Sequence, residues 1–423
     1  MDSTPPEARP TLSPPLSSDV RLLFATRIVR LFAYGLVSVV LVLHLAAAGL
    51  SESQIGLLLT LTLLGDAGIS LWITTRADRA GRRRMLLLGA ALMVVAGVLF
   101  ASTRSFVLLL LAATFGVISP SGNEVGPFLA VEQAALSQAI PAERRTAVFA
   151  WYNLAGSLAT AVGSLCGGVL ADGLQGNGVS QLGSYRVLAA GYAVLGLALA
   201  VLFLRLSAGS EAPKAARTET RSAGKGFHLG LETSRNKVFK LAGLFTIDSF
   251  AGGFVVQAFV AYWFQRRFGV SPSLLGAIFF GANLLAGLSA LMASRVARRI
   301  GLLATMVATH IPSNVLLFLV PLMPSLPLAI TVLLLRFSIS QMDVPTRQAY
   351  TMALVPANER SAAAGVTGIA RTIGASLSPL LAGPLYASAA LASLPFLLAG
   401  GLKIVYDLLI WRTFRKVKVE KSA

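Results

Sequence analysis

The feature that most constrains the fold is a series of apolar runs about as long as a lipid bilayer is thick. Roughly 20 residues of helix cross the ~30 Å hydrocarbon core. Only helices and closed barrels satisfy their backbone in lipid, and these runs are too long for barrel strands. Charged residues make up 13% of the 423 residues, against about a quarter in soluble domains. The sequence therefore predicts an all-α polytopic protein that lies in a lipid bilayer.

Twelve such runs fall into two groups of six, separated by a polar linker. The predicted spans are 22–48, 54–75, 85–103, 106–137, 146–171, 186–206, 238–264, 274–294, 302–322, 327–353, 361–388 and 391–412. The predicted units are a disordered tail (1–19), a six-helix bundle (20–206), the linker (207–235), a second six-helix bundle (236–412) and a basic tail (413–423).

The positive charge is distributed unevenly between alternate loops. Net charge is +18, and if the N-terminus is inside, the inner short loops hold eleven arginines and the outer loops four. Because basic residues mark cytoplasmic loops, both termini are expected in the cytoplasm, with the protein in a bacterial-type plasma (inner) membrane. No basic patch is interleaved with aromatic residues, so a nucleic-acid partner is not expected.

The two groups of six repeat each other in sequence. GLSESQIG (49–56) parallels GVSPSLLG (269–276), and further along the chain the stretch 140–170 parallels 355–385 at a slightly shorter offset. The predicted fold is therefore two pseudo-symmetric six-helix bundles. A duplicated helical unit around a midplane cavity is typical of transporters.

The loop after the second span reads TTRADRAGRRR, which resembles the loop motif G-x-x-x-D-R-x-G-R-R of the major facilitator superfamily. The matching residues are Asp78, Arg79, Gly81, Arg82 and Arg83. Thr74 replaces the leading glycine. The resemblance implies a twelve-span transporter in which Asp78 pairs with arginine and faces the start of span eleven near Arg360, a latch that holds the cytoplasmic side closed. Alternatively, these arginines only set the topology.

A second motif, GSLCGG (163–168), resembles part of the G-P-x-x-G-G antiporter motif, with Ser164 in place of proline. This resemblance favours export, in the manner of drug:proton antiporters. Their span-four arginine falls at Ala112, so their usual proton relay does not carry over. Small residues also let helices pack closely, which is the alternative interpretation.

Charges inside the membrane cost several kcal/mol, so each one needs a partner or a function. The candidates for contact with substrate or protons are Asn123, Glu124, Asp248, Asp343, Asp66, Arg30, Arg336, Arg371 and Gln257. Equal depth predicts an Arg30–Asp66 pair, either fixed or gating. Asp248 is expected to face a cavity or to pair with an unknown arginine. Three of the candidates, Arg336, Asp343 and Arg371, are expected to share one polar network.

The fourth span is interrupted by SPSGNEVGPF (119–128). Its prolines remove backbone donors, and interrupted helices are the best sequence indication of a transporter's binding site. We expect Asn123 and Glu124 to face the cavity, with Glu124 the first candidate for proton coupling. A kink formed only for packing is the alternative.

Other polar residues suggest less direct roles. Glu132 and Arg347 are mates when the offset of the 140–170 alignment is extended to them, and they are assigned, with Arg360, to a cytoplasmic gate. Lys403 and Asp407, one helical turn apart, are interpreted as a helical ion pair without a function.

No nucleophile triad, metal cluster or Walker A loop is present, so an enzyme, a cofactor and ATP coupling are not expected. A single cysteine, Cys166, excludes an internal disulfide. The sequence favours a monomeric, proton-coupled exporter of a small organic or drug-like solute, driven by a proton or other ion gradient. Alternatives are an importer, an exporter of an inorganic or metalloid anion, and a membrane sensor that does not transport.

Overall fold

The structure, a computed structural model, describes residues 17–123, 128–211, 231, 233–356 and 359–417. Every regular element within those ranges is a helix. The first bundle contains α1 (Ser18–Ser38), α2 (Leu41–Ala47), α3 (Glu52–Ala80), α4 (Arg82–Ser102), α5 (Phe106–Phe115), α6 (Phe128–Ala139), α7 (Ala142–Gly176) and α8 (Gln181–Leu204). The second contains α9 (Arg235–Gly253), α10 (Gln257–Phe268), α11 (Pro272–Ile300), α12 (Leu302–Leu319), α13 (Leu326–Ser340), α14 (Asp343–Ala353), α15 (Arg360–Ala387) and α16 (Leu394–Phe414).

The two bundles are broken at corresponding places. The first predicted span of each half is divided (α1/α2 and α9/α10), and so is the fourth (α5/α6 and α13/α14). Within the described ranges, nine helices are long and apolar enough to cross a membrane, or ten if the pair α1/α2, bent by 45°, is one span. The all-helical fold is as predicted, whereas the count of twelve spans stays a prediction.

Two glycines form the same turn in each bundle. Gly81 ends α3 and opens α4 with a φ of 104°, and Gly301, at the equivalent place of the second bundle, does the same between α11 and α12 with a φ of 87°. A side chain is strained at such positive φ values, so glycine fits both places. The predicted tight turn at Gly81 is therefore present.

Glycines also set the packing within each bundle. A Cβ at Gly35 of α1 would lie 2.2 Å from the carbonyl oxygen of Thr160 on α7, and one at Gly253 of α9 would lie 2.4 Å from that of Ala375 on α15. Both distances are far below van der Waals contact, so only glycine permits these crossings. Thr160 and Ala375 are mates in the alignment of 140–170 with 355–385, so Gly35 and Gly253 make corresponding contacts in the two bundles.

The same kind of contact joins the bundles to each other. A Cβ at Gly56 of α3 would meet the carbonyl oxygen of Pro379 on α15 at 2.4 Å, and one at Gly168 of α7 would meet that of Pro272 on α11 at 2.2 Å. Gly168 belongs to GSLCGG. In the structure, this glycine packs helices, which is the alternative that the sequence offered for the motif.

We call the end of the molecule that carries the turns at Gly81 and Gly301 the basic end, and the opposite end the far end. At the far end, Arg266 donates to Glu52 across the bundle interface at 2.8 Å, as does the Tyr262 hydroxyl. Ser273 likewise donates to Asp172 at 2.5 Å. These bonds and the glycine contacts close the far end in this conformation.

Candidate functional site: a central cavity

A cavity of about 680 Å³ lies between the two bundles. Its polar lining comes mostly from the second bundle. The first bundle contributes Arg27, Ser121, Asn123, Ser157 and Thr160. The second contributes Asp248, Gln257, Asn283, His310, Arg336, Gln341, Asp343, Arg347, Gln348, Arg371 and Lys403. Five permanent cations therefore face two carboxylates across a volume that suits a small organic molecule.

The cavity collects most of the candidates that the sequence identified. Those in its lining are Asn123, Asp248, Gln257, Arg336, Asp343 and Arg371. Arg30 and Asp66 lie outside this lining, Arg30 fully buried and Asp66 half-buried on α3. Glu124, the leading coupling candidate, falls outside the described residues.

The interrupted fourth span meets the interrupted seventh span at the cavity wall. The backbone N–H of Ala258, at the start of α10, donates to the carbonyl oxygen of Pro120 at 3.0 Å. The amide of Gln257 donates to Ser38 at 2.8 Å, and Gly122 beside it has a φ of 70°. A carbonyl of the broken first-bundle helix thus gains its partner from the second bundle, as non-helical backbone inside a membrane requires.

A fully buried ion pair holds α1 to α6 in the first bundle. Arg30 donates from both terminal nitrogens to the two carboxylate oxygens of Glu132, each at 2.7 Å, and both side chains are 0% exposed. Thr26 donates to the same carboxylate at 2.8 Å, and the Tyr152 hydroxyl donates to it as well. This bidentate geometry is the strongest form of arginine–carboxylate contact.

Glu132 bears on two sequence-based expectations. It is a bidentate partner of Arg30 that the sequence did not propose, while the expected Arg30–Asp66 pair stays a prediction. The sequence assigns Glu132 to a gate near the cytoplasmic end of its span, but it lies wholly inside its bundle. A carboxylate without exposure needs several donors, and four hydrogen bonds from three side chains supply them.

In the second bundle, Asp248 of α9 stands at the centre of a chain of ion pairs. Arg347 of α14 donates to Asp248 at 3.0 Å and to Asp343 at 2.9 Å. Lys403 of α16 donates to the other oxygen of Asp248 at 2.5 Å. Arg347 was also assigned to the gate, but it pairs inside its bundle and lines the cavity. The sequence offered two alternatives for Asp248, a place in the cavity wall or a pair with an arginine. The structure shows both, because Asp248 lines the cavity and pairs with Arg347.

The ion pair predicted between Lys403 and Asp407 is wrong. Lys403 contacts Asp248, whereas Asp407 accepts from Asn314 at 3.0 Å and lies 2.8 Å from Nδ1 of His310. His310 had no role in the sequence-based expectations. A usable sign was the spacing of His310 and Asn314, which are one helical turn apart and so present one polar face of α12.

The two bundles therefore carry corresponding ion pairs of reversed polarity. The number of residues from Arg30 to Asp248 equals the number from Gly35 to Gly253, two glycines that make corresponding contacts. Arg30 and Asp248 therefore occupy corresponding places. Arg347 likewise follows Glu132 at the offset of the 140–170 alignment. The first bundle thus places its cation on the first span, and the second bundle places its carboxylate there.

Two cavity arginines of the second bundle, Arg336 and Arg371, differ from Arg347 in their contacts. Arg371 donates from Nε to the neutral Ser249 hydroxyl at 3.3 Å. Arg336 stacks over the Phe337 ring at 4.8 Å, and its Nε has no hydrogen-bond partner. In the described parts of the chain, neither guanidinium contacts a carboxylate, so the expected network of Arg336, Asp343 and Arg371 shares a cavity without direct pairing.

At the basic end, the motif loop is tied to the start of the linker. Asp78, half-exposed, accepts from Arg82 at 2.8 Å. Glu211 accepts from the backbone N–H groups of Arg82 and Arg83 at 2.8 and 3.2 Å, which places an anion at the N-terminus of α4. Arg79 is exposed, and Arg360 at the start of α15 donates to the carbonyl oxygen of Met352 at 3.2 Å.

Comparisons with known proteins agree with this architecture. An uncharacterized membrane protein of Saccharomyces cerevisiae is 31% identical over 434 residues, covering 96% of each chain.

Among solved structures, an inward-facing, occupied bacterial homolog of the human lysosomal transporter Spinster superposes with a TM-score of 0.72 at 17% identity, over 95% of this chain and 98% of that one. A D-xylose–proton symporter gives 0.71 at 16%, over 93% and 97%. The nucleoside transporter NupG gives 0.70 at 13%, over 95% and 100%. The family model of the Major Facilitator Superfamily matches residues 23–379. The chain belongs to the major facilitator superfamily.

Proposed function

We propose that the chain is a secondary transporter that carries a small organic anion through the central cavity by alternating access, working as a monomer. The observation that carries this proposal is the pair of cavity guanidinium groups, Arg336 and Arg371, without carboxylate contacts among the described residues. Both guanidinium groups are half-buried at membrane depth, where a cation without a counterion is costly. A carboxylate or phosphate on the solute supplies that charge and can accept two parallel hydrogen bonds from a guanidinium.

The rest of the lining favours an organic solute over an inorganic ion. About 680 Å³ is far more than one oxyanion fills, and it lies within the ~300–1,000 Å³ range of small-molecule sites. Asn283, Gln341 and Gln348 add neutral donors and acceptors for the body of such a solute. An inorganic or metalloid anion is the second candidate, favoured by the same guanidinium groups.

The conformation of the two ends supports a proposal for which side of the membrane the cavity faces. The arginine-rich loops favour placing the basic end in the cytoplasm, as the sequence predicts. Because the far end is closed by Glu52–Arg266 and the Gly56 contact, we propose that the cavity faces the cytoplasm here. We further propose that Asp78 exchanges Arg82 for contacts with α15 when the basic end closes in the alternate state.

We propose a proton gradient as the energy source. The resemblance of GSLCGG to an antiporter motif favours export, which would need proton antiport, whereas the importer alternative would need proton symport. The D-xylose protein is described as a proton symporter, so proton coupling occurs on this fold. Direction is measured by imposing the gradient on either side of a vesicle.

The test is solute counterflow in proteoliposomes, with a panel of organic anions, inorganic oxyanions, neutral solutes and cations. We expect exchange of an organic anion. Losing one charge-assisted contact costs about 1.5–3 kcal/mol, so Arg336→Gln or Arg371→Gln should weaken anion affinity about 10- to 150-fold. Arg267→Gln, which removes an exposed arginine outside the cavity, is the matched control and should leave affinity unchanged.

Exchange restricted to cations or neutral solutes would contradict the proposal, as would unchanged affinity in both glutamine variants. Failure to exchange any solute, in protein that remains folded, would favour the sensor alternative.

A further inference from the structure

We infer that His310 and Asp407 form the proton-binding dyad of this transporter, with Asp248 as its connection to the central cavity. The inference rests on the proposed transport function and assigns its coupling site to α12 and α16. The sequence alone assigns no functional part to these helices and favours Glu124 and other carboxylates for coupling.

The dyad is buried but reachable from the cavity. His310 and Asp407 are 6% and 1% exposed. Nδ1 of His310 lies 2.8 Å from Oδ1 of Asp407, and Nε2 lies 3.7 Å from Oδ1 of Asp248. His310 and Asp248 both line the cavity, whereas Asp407 does not. Nδ1 therefore faces Asp407 in the interior of the bundle, and Nε2 faces Asp248 at the cavity.

Hydrogen bonding fixes which nitrogen can accept a proton from the cavity. An ionised carboxylate can only accept, so the neutral ring carries its hydrogen on Nδ1 and donates it to Asp407. Asn314 donates to the other oxygen of Asp407 and holds the carboxylate in place. The Nε2 lone pair is then free to take a proton that enters through the cavity, and that proton lies beside Asp248.

The charge balance of the contact-linked cluster favours binding one proton. Its carboxylates are Asp248, Asp343 and Asp407, and its permanent cations are Arg347 and Lys403. With neutral imidazole the cluster has one carboxylate in excess, and with imidazolium it is balanced. Since unbalanced buried charge is costly, the cluster stabilises the protonated ring.

This balance counts the groups linked by contact to His310, while Arg336 and Arg371 act on it from across the cavity. From α16 come Lys403, Asp407 and the Tyr406 ring, whose centroid is 5.9 Å from that of the imidazole. From α9 comes Asp248. It pairs with Arg347 of α14, which in turn pairs with Asp343. A change in any of these contacts changes how strongly the cluster holds a proton on the ring.

Proton and anion should bind together. A proton on Nε2 adds positive charge to a cavity that also presents Arg336 and Arg371, so it favours the bound anion. By linkage the anion favours the proton to the same extent. Opening to the other side lets both leave, so proton and anion cross in the same direction, which favours the importer alternative. The proton returns to bulk water with no other change of bonds.

The experiment compares exchange, which needs no net proton movement, with transport driven by a pH gradient. The variants are His310→Gln and Asp407→Asn, and the matched control is His44→Gln. His44 is also a buried histidine, but it lies among aromatic rings in the first bundle, away from the cavity.

In wild type and in His44→Gln, anion affinity should rise as the pH falls, by about 5- to 150-fold for ordinary linked sites, and anion binding should take up a proton from unbuffered solution. His310→Gln should abolish both effects because no ring remains to titrate. Asp407→Asn should also abolish them, because the cluster is then balanced with a neutral ring. Counterflow should persist in both variants, while accumulation driven by the pH gradient is lost.

Proton uptake that survives in both variants would overturn the dyad. So would joint loss of counterflow and accumulation in variants that melt like wild type, because that pattern indicates only a packing role. If one variant does not fold, the other decides by the same readouts. Absence of counterflow in wild type would instead refute the proposed transport function.

Discussion

Breaking the Arg30–Glu132 pair should cost more stability than replacing both of its members. Both side chains are 0% exposed, and the carboxylate accepts four hydrogen bonds. Removing one partner of a buried ion pair costs about 3–5 kcal/mol, because the remaining charge loses its counterion, whereas neutral replacements of similar volume are often tolerated. Glu132→Gln and Arg30→Met should each be strongly destabilising, and the double variant should recover much of that loss.

The assay is a double-mutant cycle on the free energy of unfolding, measured in mild detergent. Arg30→Met keeps an apolar side chain against the Phe128 ring, over which the guanidinium now lies at 4.8 Å. Glu132→Gln keeps an acceptor for Thr26 and Tyr152. We expect a coupling energy of a few kcal/mol between these two contacting positions.

The same cycle at the far end supplies the control. Arg266 and Glu52 also form an ion pair, but their side chains are 42% and 25% exposed. Exposed pairs contribute about 0–1 kcal/mol, so Glu52→Gln with Arg266→Met should show little coupling. If the Arg30 and Glu132 substitutions are additive, the buried pair is not the counterion arrangement described above, and the reasoning fails.

Two further predictions concern the ends of the molecule. Gly56→Leu should shift the protein toward conformations open at the far end, because its Cβ would lie 2.4 Å from the carbonyl oxygen of Pro379; faster labelling of a single far-end cysteine measures this, and unchanged labelling would refute it. Glu211→Gln should weaken the hold of the linker on the start of α4 by about 0.3–1 kcal/mol, since a charge at a helix N-terminus is lost. Faster proteolysis after position 211, with wild-type cleavage elsewhere, is the expected result.

Much of the fold could be predicted from the sequence because it depends on local features of the chain. Apolar length predicts the helices, and the repeat of 49–56 in 269–276 predicts the duplicated bundle. Gly81 could be assigned a turn because only glycine tolerates its backbone geometry. The division of the fourth span was also predictable, because SPSGNEVGPF combines prolines, which remove backbone donors, with glycines, which loosen a helix.

The ion-pair partner of each charged side chain was harder to predict from the sequence, because it depends on how the helices are rotated about their axes. Lys403 and Asp407 lie one turn apart, so the local rule pairs them. In the bundle, each of them instead turns to a different residue, Asp248 or His310. A sequence shows the depth of a charge, but depth alone did not identify Glu132 as a bidentate partner of Arg30.

The reversed polarity of the two ion pairs gives the bundles different roles. The Arg30–Glu132 pair is closed to water, and each charge is balanced within the bundle, so it can stay fixed while the bundles rock. Asp248 and Arg347 occupy the corresponding places but line the cavity, and Asp248 also contacts Lys403 and His310. A buried, fixed pair cannot contact a proton or a solute in the cavity. A cavity-facing cluster with a histidine can bind and release both. The duplication therefore supplied one position twice, and in the mechanism that we propose the copy in the second bundle couples proton and solute.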